Sequence, residues 1–284
     1  MKNIFTLLFT VLASATMLAE VSVSDKAVLL KIYKATSGEQ WHTKWDLNAP
    51  VNSWFGVKVE GDKVISINLS DNNLSGTIPA EISELVSLQE LNLHKNNLEG
   101  SIPTSIENLK ELRVLDLSFN KLSGSIPSTI GEMTNLQDLE LYMNRIVGQL
   151  PVSIGNLQKL ETLALFNNEI EGQIPNELFE AATLRIVLLN SNKLSGKLSA
   201  DVSKLSKLEN LSLFENNLDG QVPFDLEKLN NLKEMNISYN MFSGLVSRKL
   251  AVLDTLNLTM VNDKGVAVLM DIKMEIERPL VSED

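Results

Sequence analysis

The chain of 284 residues contains no cysteine. That removes disulfide staples, thiolate zinc ligands and thiol nucleophiles. Histidine is nearly absent too, with His42 and His94 the two copies, and neither stands beside a serine, cysteine or carboxylate motif spaced for nucleophilic or metal chemistry. No phosphate-cradling glycine loop, HExxH helix or nucleophile elbow occurs. Catalysis, a cofactor and a metal site are therefore not expected. Positive charge is scarce: 25 Lys and Arg stand against 36 Asp and Glu, a formal net charge of −11. Without a basic stripe, nucleic acid and anionic membrane surfaces are excluded as partners, whereas a neutral or cationic ligand would not be repelled. Beyond the amino terminus no apolar run approaches the roughly 20 residues needed to span a bilayer. What remains is ordinary globular composition, 44% hydrophobic and 21% charged, enough for a sizeable core.

The amino terminus reads Met1-Lys2, an apolar stretch from Ile4 to Leu12, then Ala13-Ser14-Ala15 and Leu18-Ala19 before Glu20. This is the order of a secretory signal, residues 1–19, with cleavage expected after Ala15 or Ala19. A secreted, periplasmic or cell-surface location follows, and the lack of cysteine fits a bacterial envelope or medium. Asn-x-Ser/Thr triplets begin at Asn68, Asn73, Asn210, Asn236 and Asn257. They arise from the repeat's own residue usage and would be glycan acceptors only in a eukaryotic host.

The strongest signal is a repeat. Asparagine recurs at Asn72, Asn96, Asn120, Asn144, Asn168, Asn192, Asn216 and Asn240, a period of 24 residues without a slip. Glycine follows each by four residues, from Gly76 to Gly244, and proline three further on at Pro79, Pro103, Pro127, Pro151, Pro175 and Pro223, with Ser199 and Ser247 in its place twice. A period of this size marks a solenoid, because one coil cannot bury its apolar side without neighbours. Within one repeat, Leu88, Leu91, Leu93, Leu98, Ile102, Ile106 and Leu109 are expected to point inward. The alternation of Leu91 and Leu93 predicts a short strand. Asn96 then turns inward, where its amide can satisfy backbone groups of adjacent coils. The expected fold is an α/β repeat solenoid, a curved right-handed superhelix with a parallel concave sheet and an irregular or 3-10 convex side.

The pattern LxxLxLxxNxLxGxIP, as in LQELNLHKNNLEGSIP (88–103) and LRVLDLSFNKLSGSIP (112–127), resembles the plant-type extracellular leucine-rich repeat. The resemblance covers 64–255, eight repeats. It includes receptor-kinase ectodomains and polygalacturonase-inhibiting proteins, and it implies protein or peptide binding on the concave sheet. Residues 20–63 resemble the amino-terminal cap of that family, which usually carries cysteines around its W-x-G-V motif. Here Asn52 or Ser53 and Val59 stand in their place, a departure that points to a secreted bacterial member with a disulfide-free cap. Ser24 is expected to cap a helix from Asp25 to about Ala35, and Trp41, Trp45 and Trp54 to pack as a lid on the first coil rather than as a sugar platform. After Leu256 the period fades. Leu256 to Val261 and Val266 to Ile276, around the turn Asn262-Asp263-Lys264-Gly265, are expected to form a hairpin cap over 256–284 whose polar alternates blunt the sheet edge.

Comparison between repeats selects a candidate surface. One outward column reads Ser70, His94, Ser118, Tyr142, Phe166, Asn190, Phe214, Ser238. Serine serves in three repeats, so Tyr142, Phe166 and Phe214 are expected to expose apolar area the scaffold does not require, joined by Met143, Ile186 and Leu188 from neighbouring columns. Phe119 and Tyr239, just before the ladder asparagine, rank lower. Asp116, Asp138 and Glu140 are expected to lie close together and to form an acidic patch that steers a basic partner. The expected function is a non-enzymatic binding module for a protein, a peptide or a glycan. Its alternatives are an inhibitor of a cell-wall-degrading hydrolase, an ice-binding surface, and a receptor-ectodomain-like sensor. The column Thr77, Ser101, Ser125, Gln149, Gln173, Lys197, Gln221 is too mixed to favour ice.

Overall fold

The computed structural model of the chain describes residues 21–254, 256, 258–262 and 264–273. The expected export segment 1–19, Asn257 and residues 274–284 lie outside them.

The repeated Leu-x-Leu pair builds a nine-stranded sheet in sequential order: Val57–Glu60, Lys63–Asn68, Glu90–Asn92, Val114–Asp116, Asp138–Glu140, Thr162–Ala164, Ile186–Leu188, Asn210–Ser212 and Glu234–Asn236. The first pair is antiparallel and every later pair parallel, each residue facing the one 24 positions on, as in Leu91 with Leu115 and Leu163 with Val187. The seven positions expected to point inward, Leu88 to Leu109, are all 4% exposed or less. A single core runs from Val21 to Met260. Burying one leucine contributes about 1.5 to 3 kcal/mol, but a coil presents its leucines to the coils on either side, so the gain exists only in the stack.

The asparagine ladder is built as expected. The Asn96 side-chain Nδ2 donates to the Leu69 and Leu93 carbonyls, each at 2.9 Å, while its Oδ1 accepts from the Asn72 and Leu74 amides at 3.1 and 2.9 Å. One amide thus satisfies two donors and two acceptors that no water reaches. The residue before each ladder asparagine turns the chain: Asp71, Lys95, Phe119, Met143, Asn167, Ser191, Glu215 and Tyr239 all have φ between 52° and 59°.

A second set of parallel strands follows the ladder, which sequence reading did not anticipate. Ser75–Thr77, Asn97–Gly100 and Lys121–Leu122 form three strands, and Val147–Gln149 through Met241–Ser243 form five. Their glycines suit a tight or close-packed backbone. Gly100 does adopt φ +79°, and a Cβ there would meet the Thr77 methyl at 3.1 Å, so glycine permits both the backbone and the close approach. Beyond these strands short 3-10 turns such as Thr104–Asn108 and Asn176–Glu180 face outward. Most follow a proline in extended conformation. Where serine replaces proline it acts as a cap instead: Ser199 Oγ accepts from the Asp201 amide at 3.2 Å and Ser247 Oγ from the Leu250 amide at 3.3 Å.

Both ends are covered. The first helix is Val23–Ala35, and its N-cap is Ser22 rather than Ser24. The reason is geometric: Ser22 Oγ reaches the Asp25 amide at 3.1 Å, while Ser24 already lies inside the helix and its hydroxyl donates to Asp25 Oδ1 at 3.3 Å. Asp25 is buried and accepts the Val64 amide at 2.9 Å, which ties the helix to the sheet. Trp41, Trp45 and Trp54 are buried in a ring-to-ring chain with Tyr33, at centroid distances of 4.7 to 5.9 Å. They form the expected lid.

At the other end the hairpin is shorter than expected. Thr259–Val261 pairs antiparallel with Ala267–Leu269, but the chain then leaves the hairpin and Asp271–Lys273 runs parallel to Leu245–Ser247. The backbone amide of Met270 bonds to the Leu258 carbonyl at 3.2 Å, in register with the hairpin, and the alternation ends where the chain beyond it joins Leu245–Ser247. Nor do polar alternates blunt this edge: Ala267, Val268 and Leu269 are all exposed. The last inner strand is closed by buried Asp254, which accepts from the Ile237 amide at 2.8 Å and the Ser238 hydroxyl at 2.9 Å.

Candidate inner-sheet binding site

Strand alternation sends the leucines into the core and the intervening residues onto the inner face. The outward column expected from sequence is real, yet its rings are less exposed than predicted. Tyr142 and Phe166 are half-buried, because they stack on each other at 4.4 Å with planes 9° apart. Tyr142 also meets Phe119 and His94, each at 6.1 Å. Phe214, likewise half-buried, pairs edge-on with Tyr239 at 5.3 Å and not with Phe166. Two aromatic groups therefore flank Asn190, which occupies the column between Phe166 and Phe214.

The two rings ranked lower in sequence prove the more exposed, Phe119 at 43% and Tyr239 at 42%. Both sit at the left-handed position before the ladder, where a large side chain costs about 1 kcal/mol relative to the short polar residues that tolerate it. Met143 shares that conformation at φ 53°. The signal was available, since the same position holds Asp71, Asn167 or Ser191 elsewhere, but it needs the turn geometry to be read.

Beside Phe166 lies a depression of about 320 Å³ lined by Phe166, Leu188, Asn190, Asn210, Ser212 and Glu234, with Met235 and Asn236 completing it. Of the predicted residues, it brings together Phe166 and Leu188. Ile186 lies on the same strand as Leu188 and faces Asn210 on the next. Asn210 donates to the Glu234 carboxylate at 2.7 Å. Sequence reading missed Asn190, Asn210, Ser212 and Glu234, because nothing marks a polar residue as lining a hollow until the strands are stacked.

The acidic trio is assembled too. Asp116 and Glu140 face each other on adjacent strands, and Asp138 is two residues from Glu140. Asp116 is buried and accepts both the backbone amide of Ser118, at 3.0 Å, and its hydroxyl. His94 Nδ1 lies 2.7 Å from the same hydroxyl. This histidine, serine and aspartate do not form a nucleophilic relay, since Ser118 is 0% exposed and its proton is committed to the carboxylate. Glu140 is held above the usual carboxylate range, first by burial and then by the charges of Asp116 and Asp138.

Because the folded state holds that proton more tightly than the unfolded chain, ionising Glu140 costs stability. The penalty appears as pH rises from the ordinary glutamate range through the raised value, and is complete above it. Solvent screening at this half-buried site keeps it small. Glu140→Gln should therefore raise the melting temperature by roughly 1 to 2 °C at about pH 7 and by less at about pH 4, measured by calorimetry. An unchanged difference at both would remove the electrostatic explanation.

Comparison with known proteins bears on this geometry. Two family profiles match, one described as Leucine rich repeat over residues 87–146 and 110–170, the other as Leucine Rich Repeat over residues 63–85. Sequence comparison with curated proteins finds no match. Among solved structures, the plant peptide hormone receptor RGFR1 in complex with RGF2 is 31% identical at TM-score 0.64, over 73% of this chain and 32% of the receptor. The chain thus spans about a third of that receptor chain. A plant ice-binding protein is 26% identical at TM-score 0.73, over 89% of this chain and 81% of that one. The BIR2 ectodomain of Arabidopsis thaliana is 31% identical at TM-score 0.51, over 56% of this chain and 86% of that one. The asparagine ladder, the stacked inner sheet and these matches agree: the chain belongs to the leucine-rich-repeat proteins.

Proposed function

We propose that the chain is an exported, non-catalytic binding module that takes a peptide, or an extended segment of a protein, on its inner sheet. The observation that carries this is the hollow of about 320 Å³ in which Phe166 and Leu188 stand among Asn190, Asn210, Ser212 and Glu234. Apolar side chains there gain nothing for the core, and a concave apolar patch with a few polar groups is the usual form of a recognition site. The peptide-hormone receptor among the similar structures supports the same class of ligand. Export rests on the Met1 to Ala19 segment, and a disulfide-free cap fits a secreted bacterial member of the plant-type repeat.

Ice binding is the second reading, favoured by the long mutual overlap with the plant ice-binding protein. Against it stands the chemistry of the outer strands. Their rows run Gln149, Glu171, Lys193 and Lys197, Asp219, Met241, with alternating charge and no repeated hydroxyl. The test is amide hydrogen exchange on the chain with a partner recovered by affinity capture from secreted and surface proteins and peptides, alongside thermal hysteresis of the free chain. Protection confined to the inner strands from Asp138 to Asn236, with no hysteresis, is expected. Protection on the outer strands, or measurable hysteresis, would replace this reading.

A further inference from the structure

The inner sheet treats its charges in two ways. Along its edge, Arg185 reaches Glu209 at 2.6 Å and Glu161 at 3.9 Å, and Lys233 pairs with Glu209 as well, so that row neutralises itself. On the floor it does not. Among the described residues no Lys or Arg lies within ion-pair distance of Asp116, Asp138, Glu140 or Glu234.

These carboxylates are placed symmetrically about the coil of Leu188 and Asn190, and Glu234 itself lines the hollow. Leu188 and Asn190 belong to the coil whose strand is Ile186–Leu188. Asp138 and Glu140 lie two strands away on one side, and Glu234 two strands away on the other. Parallel strands are about 4.8 Å apart, so each acidic group stands roughly 10 Å from the apolar centre. An extended peptide advances about 3.3 Å per residue, which makes that distance about three residues. Asn190 supplies the remaining feature: its column neighbours Phe166 and Phe214 are aromatic, whereas its own short side chain leaves the space between them open and has no side-chain partner among the described residues.

We infer that the ligand is a cationic extended peptide with an aliphatic or aromatic side chain seated over Asn190 and a Lys or Arg about three residues to either side. One cation meets Glu140 and Asp138, the other Glu234. The spacing is symmetric, so it reads the same in either chain direction. This rests on the inner-sheet reading above and adds to it the charge and spacing of the ligand.

The probe is a fluorescent peptide of about seven residues with arginine at both ends, phenylalanine at the centre and serine or glycine between, titrated against the full chain by anisotropy. Binding is expected, weakened about tenfold or more by either arginine-to-serine change or by moving one arginine two residues closer. Glu234→Gln and Glu140→Gln should each weaken the two-arginine probe and leave a probe with both arginines replaced by serine unaffected. Absence of binding, or equal binding of the shortened spacing, overturns the inference. A parallel selection from a randomised peptide library on the immobilised chain separates this failure from that of the inner-sheet reading. Selected peptides that lose binding with Phe166→Ser and Leu188→Ser, yet lack paired cations, would overturn the spacing and charge alone. No enrichment, or enriched peptides indifferent to those two substitutions, would overturn both.

Discussion

Replacing Asn168 by leucine should lower the stability of the chain by about 3 kcal/mol, a loss of roughly 6 to 12 °C in melting temperature for a chain of this size. The side chain is 9% exposed. Its Nδ2 donates to the Leu141 and Leu165 carbonyls at 3.0 Å each, and its Oδ1 accepts the Ile146 amide at 3.0 Å. Leucine is close in volume, so packing changes little; what changes is that three buried backbone groups on two coils lose their partners. Each such group costs about 1 kcal/mol or more when desolvated and unpaired. Aspartate should do nearly as badly, because it keeps the acceptor but presents charge to two carbonyls. Asn167→Ala, one residue earlier on the exposed turn, is the control and should cost less, although alanine is also disfavoured at φ 53°. Denaturation midpoints of the three variants check this. A midpoint for Asn168→Leu equal to that of the unaltered chain would mean the ladder contributes nothing that leucine cannot.

The same ladder explains why so much of the fold is legible in the residues alone. A buried asparagine every 24 positions has few alternatives, because its hydrogen-bonding sites must be met by backbone of its own coil and of the coil before it. Leu91 and Leu93 give the strand by alternation, and the three tryptophans give the lid because the end of a solenoid exposes apolar core that must be covered. The misses have equally physical origins. Asn217–Gln221 forms a strand although its sequence, Asn-Leu-Asp-Gly-Gln, carries one apolar residue; pairing between coils supplies what local preference does not. Ser22 displaces Ser24 as the cap because the cap is chosen by reach to a backbone amide and not by nearness to the apolar pattern. The terminal hairpin ends at Met270 because the chain beyond it pairs with Leu245–Ser247, a strand far back in sequence that local alternation does not reveal.

The candidate site is legible in part for a related reason. A column of outward residues can be written down from the period, so Tyr142, Phe166 and Phe214 were identifiable as aromatics where serine suffices. Whether a ring is open to solvent depends on its neighbour. Tyr142 and Phe166 shield each other, whereas Phe119 and Tyr239, in the turn, stay more open. The hollow over Asn190 is invisible until residues 24 and 48 positions away stand beside it.

The central claim, that the inner sheet is the recognition surface, is tested most directly by the triple substitution Tyr142→Ser, Phe166→Ser, Phe214→Ser. Losing the Tyr142 and Phe166 stack and the Phe214 contact with Tyr239 removes about 1 to 3 kcal/mol of aromatic pairing in all, which should lower the melting temperature by roughly 2 to 12 °C and leave the chain folded, because every ladder asparagine and core leucine remains. Binding should respond far more strongly, since the same change removes Phe166 from the wall of the hollow and Tyr142 and Phe214 from the same outward column. Quantitative affinity capture from secreted and surface proteins and peptides, with the unaltered and the altered chain as bait at a temperature where both are folded, should show recovery of the partner reduced tenfold or more. Undiminished recovery on the altered chain, with its melting temperature collapsed, would contradict the account: the rings would then be packing, and the recognition surface would lie elsewhere on the solenoid.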